Sequence, residues 1–99
     1  MEQCLLTIYA PPSVEDSVVD WLLEHEAIEG FSSAEIFGHG VRQSGMSLLE
    51  QVTGRQRRVQ FQVQTSRDLI EHLLQDLREK FTGSGLFYLV SPVFESGRL

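Results

Sequence analysis

Over residues 3–9 apolar side chains occupy both alternating sets of positions: Cys4, Leu6 and Ile8 on one, and Leu5 and Tyr9, with Thr7 between them, on the other. Successive strand residues point to opposite sides, so this pattern predicts a central strand with apolar cover on both faces. Pro11 and Pro12 end it. Ser13 with Asp16 three residues on is a capping-box variant that satisfies free amides at a helix start. Val14, Val18, Trp21, Leu22 and His25 then recur at helical spacing and predict an amphipathic helix over 14–25. A weaker strand over 31–38 rests on Phe31, Ile36 and Phe37. The clearest strand spans 57–64, where Val59, Phe61 and Val63 alternate with Arg58, Gln60, Gln62 and Gln64. Thr65 and Asp68 repeat the capping pattern, and Leu69, Ile70, Leu73, Leu74, Leu77 and Phe81 predict a second helix stopping near Gly83. A last strand covers 86–90.

The order is βαββαβ, the α+β ferredoxin-like arrangement: an antiparallel four-stranded sheet with two helices on one face. No linker, repeat or low-complexity tract divides the chain, so residues 1–99 are expected to form a single domain. Two helices cover only one sheet face, yet the first and last strands are apolar on both. Leu5 or Leu6, Tyr9, and Phe87 or Leu89 are therefore expected on the uncovered side, each Å² left wet costing about 25 cal/mol. A patch of that kind marks an association surface, and a homo-oligomer formed through the open face is expected.

The connection at 39–56 breaks the pattern. Its glycines and polar residues signal a loop of about 18 residues, where a hairpin usually takes about 2–5. Met46, Leu48, Leu49 and Val52 place apolar side chains in it that no core needs. They either meet a partner protein or fold back on a neighbouring subunit as a short helix or strand extension.

Composition narrows the possibilities. At 41% hydrophobic and 22% charged the 99 residues are ordinary globular sequence. No apolar run approaches the roughly 20 residues of a membrane span, so no membrane insertion is expected. The first basic side chain is Arg42, so no secretory leader is expected either. A lone cysteine, Cys4, suits a cytoplasmic protein and reads as a small buried apolar residue. The net charge of −6 argues against a nucleic-acid binder. Its distribution is uneven: residues 1–41 hold eight acids and no Lys or Arg, whereas Arg42, Arg55, Arg57 and Arg58 cluster in and beside the loop. These arginines either solubilise the segment or fix a phosphate or carboxylate.

No constellation for catalysis is present, and the chain is not expected to be an enzyme. Acylphosphatases share the element order, but the segment between the first strand and helix, Ala10 to Ser13, lacks their anion-cradling character. RNA-recognition modules also share it, but here the exposed side of the third strand is Arg58 and glutamines rather than base-stacking aromatics.

The stretches CLLTIYAPP at 4–12, GHG at 38–40, EQVTGRQRRVQF at 50–61 and SPVFESGRL at 91–99, set in this element order, resemble the PII-like (nitrogen-regulatory-protein-like) superfamily. Within it the whole chain resembles a small uncharacterised family often encoded beside heavy-metal efflux pumps. The resemblance implies a trimeric regulatory or sensor protein, with a small ligand at subunit clefts and a long loop that contacts a partner, here a metal-efflux transporter. PII proteins open their long loop with Gly-Phe-Gly-Arg-Gln-Lys-Gly; Gly38, His39, Gly40, Val41, Arg42, Gln43, Ser44 and Gly45 are similar, one residue longer, with serine for the lysine. They bind adenine nucleotides with a second loop carrying Gly-Asp-Gly-Lys, where this chain has Thr82, Gly83, Ser84 and Gly85, and with a basic C-terminal pair, of which Arg98 alone remains. The resemblance thus nominates Gly38, His39, Gly40, Arg42, Gly83, Gly85 and Arg98 for ligand binding, with adenine nucleotide as ligand; Arg55, at the base of the loop, is the further candidate to meet an anion, and the loop's apolar Met46, Leu48, Leu49 and Val52 are the candidates for partner contact.

The efflux-pump context makes a transition metal the rival ligand, as does the similar fold of the divalent-cation-tolerance proteins. Cys4, His25, His39, His72 and Met46 show no metal-motif spacing. His25 and His72 fall on helices, so His39, flanked by glycines that permit close approach of a ligand, is the one candidate metal residue.

Overall fold

A computed structural model describes residues 2–39 and 55–99. The elements are β1 (Gln3–Ala10), a 3-10 turn (Pro12–Val14), α1 (Glu15–Leu23), β2 (Ser32–His39), β3 (Arg55–Ser66), α2 (Arg67–Phe81) and β4 (Phe87–Val93). All strand pairs are antiparallel and the sheet order is β2-β3-β1-β4. This is the ferredoxin-like βαββαβ arrangement that the hydrophobic pattern predicts, with β1 and β3 central.

The registers assign every strand side chain to a face. Leu6 opposite Val63 and Ile8 opposite Phe61 point toward the helices, whereas Leu5 opposite Gln64, Thr7 opposite Gln62 and Tyr9 opposite Gln60 point away. The core is the helix-side layer: Cys4, Leu6, Ile8, Val59, Phe61 and Val63 meet Val18, Trp21 and Leu22 of α1 and Ile70, Leu73, Leu74 and Leu77 of α2. Of the alternatives left by the sequence, Leu5 is on the open face and Leu6 is in the core. Phe87 and Leu89 share that open face and are 60% and 41% exposed. Tyr9 and Phe87 pair there at 6.1 Å between ring centroids. The open face is thus divided, apolar on β1 and β4, glutamine-rich on β3.

Both expected helix caps move. Ser13 lies within the 3-10 turn, Val14 takes the N-cap position of α1, and no side chain caps that helix. The proline pair sets this turn, because its fixed φ favours a helical entry one step early. At α2 the cap is Ser66, whose Oγ accepts from the Leu69 amide at 3.2 Å, while Thr65 is a buried strand residue. Thr65 continues the alternation of β3 and is carried inward one residue too soon to cap.

β3 begins at Arg55 and β2 ends at His39, so the connecting segment is 40–54 rather than 39–56. β1 pairs with β3 only from Val59 onward, while β2 pairs back to Arg55. Residues 36–39 and 55–58 therefore form a two-stranded ribbon that overshoots the sheet and carries the roots of the segment. Among the described residues no helix is long and apolar enough to cross a membrane.

Candidate functional site

Strand alternation separates residues that the sequence places side by side. Gly38 opposes Gln56 on the open face; His39 opposes Arg55 on the helix side. The Arg55 guanidinium lies 4.2 Å over the Phe37 ring, a cation–π contact across the ribbon. Arg57 pairs with Glu35 at 3.2 Å, with both side chains mostly exposed, so water screens the pair and its contribution is small. The helix side of the ribbon thus gathers Phe37, His39, Arg55 and Arg57 beyond the helices' cover. Gly40, Arg42, Met46, Leu48, Leu49 and Val52 lie outside the described residues.

Gly83 and Gly85 form the turn between α2 and β4, with φ of 86° and 87°, a region that side chains with a Cβ rarely adopt. The Ser84 amide donates to the Phe81 carbonyl at 3.1 Å and closes the last turn of α2. A Cβ on Gly85 would come 3.2 Å from Pro11 Cγ, so the glycine loop is pressed against the chain leaving β1. Arg58, just beyond the end of β1, reaches across this gap. Its guanidinium donates to the Gly85 carbonyl at 3.2 Å and to Gln56 Oε1 at 3.0 Å. The glycine loop and the ribbon root are therefore neighbours at one end of the sheet, and Arg58 ties them together. The arginine cluster in the sequence signals basic chemistry near this loop; that Arg58 rather than Arg55 faces it depends on strand parity and is fixed by the register.

Arg98 is at the opposite end within one chain. The tail after β4 folds back so that Gln64 Nε2 donates to Ser96 Oγ at 2.8 Å. Arg98 helps line a shallow concavity of about 540 Å³ with Gln3, Glu29, Gly30, Gln64 and Ser96. Gly85 borders Pro11 at the other end of β1. The chain alone does not bring Arg98 to the glycine loop.

His39 is exposed, and Arg55 is its cross-strand partner, with its guanidinium over the Phe37 ring. Among the described residues no three His, Cys, Asp or Glu side chains come together as a metal site. His72 is exposed on α2. His25 follows α1, with Nδ1 2.8 Å from the Trp21 carbonyl and Nε2 3.5 Å from Asp76 Oδ2. Cys4 is buried with Sγ 3.5 Å from the Thr65 carbonyl, and burial pushes its thiol pKa up, partly offset by the charge of Arg67.

The family model described as "Protein of unknown function (DUF3240)" matches residues 1–99. No curated protein matches the sequence. Among solved structures, a DUF3240 family protein from Shewanella baltica is similar at 24% identity over 98% of this chain and 96% of that one, with a TM-score of 0.79. A putative PII-like signalling protein from Thermus thermophilus is similar at 19% identity, covering 94% of this chain and 87% of that one, TM-score 0.67. The ATP complex of GlnK from B. subtilis shares the fold at 8% identity, covering 93% and 82% of the two chains, TM-score 0.67. At these identities the likeness establishes a shared PII-like fold.

Proposed function

The chain belongs to the DUF3240 family, and we propose that it is a PII-like regulatory binding protein rather than an enzyme. In this reading it is a cytoplasmic homotrimer whose apolar half-face, with Leu5, Tyr9, Phe87 and Leu89, packs against the other subunits. A small anionic ligand of the adenine-nucleotide type occupies the cleft where the ribbon root and the glycine loop meet. Arg98, remote within its own chain, is supplied by a neighbouring subunit. Occupancy is relayed to residues 40–54, where Arg42 meets the ligand, and Met46, Leu48, Leu49 and Val52 contact a partner protein, a transporter that exports metals.

The observation carrying this reading is that Gly83 and Gly85, His39 and Arg55 share one end of the sheet, with Arg58 bonded to the Gly85 carbonyl between them. A ligand at the glycine loop thereby sits beside both roots of the 40–54 segment. The ATP-bound GlnK that shares this fold supports the choice of ligand class.

A thermal-shift series with ATP, ADP, copper and zinc, run alongside sedimentation at micromolar concentration, tests it. A ligand that binds only the native state stabilises it, by about 2.7 kcal/mol at a hundredfold excess over Kd. A nucleotide-specific rise and a trimer support the proposal. A rise with metal alone, abolished in His39→Ala, would replace it with a metal-tolerance trimer. No rise with any of them leaves a pure protein-interaction module, and a monomer removes the shared clefts.

A further inference from the structure

Arg58 is the one charged side chain among the described strand residues of the open face. The registers surround it with Gln56, Gln60, Ile36 and Tyr9, and every other described strand residue facing that way is neutral. Glu35, the sole acid in the described strands, faces the other side and pairs with Arg57. The half-buried Arg58 guanidinium spends its donors on two neutral acceptors, the Gly85 carbonyl and the Gln56 amide oxygen, and has no ion pair among the described residues.

An arginine in that setting is poorly compensated. Its five donors form a planar fork whose geometry matches an oxyanion with two parallel bonds, a pairing that single bonds to a carbonyl and an amide oxygen do not supply. Partial burial, and open-face neighbours that are all neutral among the described strand residues, make an incoming anion more favourable still. The other arginine of the ribbon proposed for anion contact, Arg55, is engaged with the Phe37 ring on the opposite face.

We infer that Arg58 is the oxyanion-binding residue of the glycine-loop site, taking the phosphoryl group of the ligand by a bidentate contact. This rests on the proposed reading only in placing the ligand at that end of the sheet. When the phosphoryl group takes the guanidinium, the Gly85 carbonyl and the Gln56 side chain lose their donor. Gln56 is the second residue of β3 and opposes Gly38, the last but one of β2. The exchange of partners at Arg58 is therefore felt at both roots of the 40–54 segment.

The test is a titration of the full-length 15N-labelled protein with pyrophosphate and, separately, with ATP, at ionic strength held constant with chloride. The Arg58 Nε–H and Gly85 amide resonances are followed in wild type, R58K, R58Q and R55Q. The expected result is saturable shifts of both resonances in wild type, affinity about tenfold or more weaker in R58Q, intermediate in R58K, and within about twofold of wild type in R55Q. Pyrophosphate binding at Arg58 without any ATP binding would keep the inference while removing the nucleotide reading. ATP binding that R58Q leaves intact would keep that reading and overturn the inference. Silence of both wild-type resonances with both probes overturns the inference directly, whether or not R58Q folds.

Discussion

The Trp21 indole Nε1–H donates to Asp76 Oδ2 at 2.6 Å, linking the C-terminal half of α1 to that of α2. Trp21 is 2% exposed and its ring stacks edge-on against Phe81 at 5.8 Å, so it cannot turn to water for another acceptor. Lys80 lies 4.0 Å from the same carboxylate. Asp76→Ala should therefore cost about 1–3 kcal/mol, the usual cost of orphaning a buried donor. Asp76→Asn keeps an acceptor and should cost less. Urea midpoints of the two variants, compared at unchanged m-value, check the order.

Phe61 is fully buried at the centre of the core, opposite Ile8 and Ser33. Phe61→Ala should cost about 3–5 kcal/mol through lost burial and a residual cavity, much of the stability of a small domain. Phe37→Ala, on the exposed ribbon, should change stability by less than about 1 kcal/mol. Parallel chemical denaturation of both variants shows whether the ribbon is energetically separate from the core.

Three glycines should rank by backbone and space. Gly85 has φ 87° and Pro11 Cγ 3.2 Å from a would-be Cβ, Gly83 has φ 86° with open space, and Gly30 has neither constraint. Left-handed backbone costs a side chain about 1–2 kcal/mol. Gly85→Ala should exceed that, Gly83→Ala should match it, and Gly30→Ala should be near neutral. Thermal midpoints of the three variants would contradict this if Gly30→Ala were the worst.

Ser66→Ala should cost about 1 kcal/mol by removing the cap on α2. Ser13→Ala should stay within about 0.5 kcal/mol, because its side chain caps nothing and is exposed. A larger loss for Ser13 than for Ser66 would mean that α1 is capped in solution as its sequence suggests.

Burial raises the Cys4 thiol from its ordinary value of 9.0. In the unfolded chain the thiol ionises at the ordinary value while the native thiol stays protonated, so the native state binds more protons in that range. Stability therefore falls as pH rises through about 9 and beyond, and the Cys4→Ala variant should lack this component of the slope. Native protein should also react with a thiol reagent only as fast as it opens. Rapid stoichiometric labelling without unfolding would oppose this placement of Cys4.

Element type and order are legible in the chain because the periods differ so sharply: Val59, Phe61 and Val63 against Ile70, Leu73, Leu74 and Leu77. Boundaries are less so. Arg55 and His39 join strands despite lying beside glycine-rich sequence, because each supplies the other's cross-strand partner across the whole of the 40–54 segment. The caps fail for a related reason: Ser13 and Thr65 have suitable side chains, but proline geometry and strand parity decide which residue stands at the helix entrance. The candidate site is only half visible. The sequence supplies the glycine turn and the arginines, but which of Arg55, Arg57 and Arg58 turns toward Gly85 depends on a single-residue parity that composition does not encode.

The Arg58–Gly85 contact has one more consequence, for how the molecule comes apart. The residues between them, 27 positions apart, comprise most of β3, all of α2 and the glycine turn. Strand, helix and turn thus make a closed circuit of chain, clasped where it begins and ends. Opening the clasp frees the start of β4 and the far end of α2 together, leaving β1 and β2 in place on either side of β3. Amide exchange in Leu86, Phe87 and the last turn of α2 should then share one opening free energy, a cooperative unit smaller than the domain.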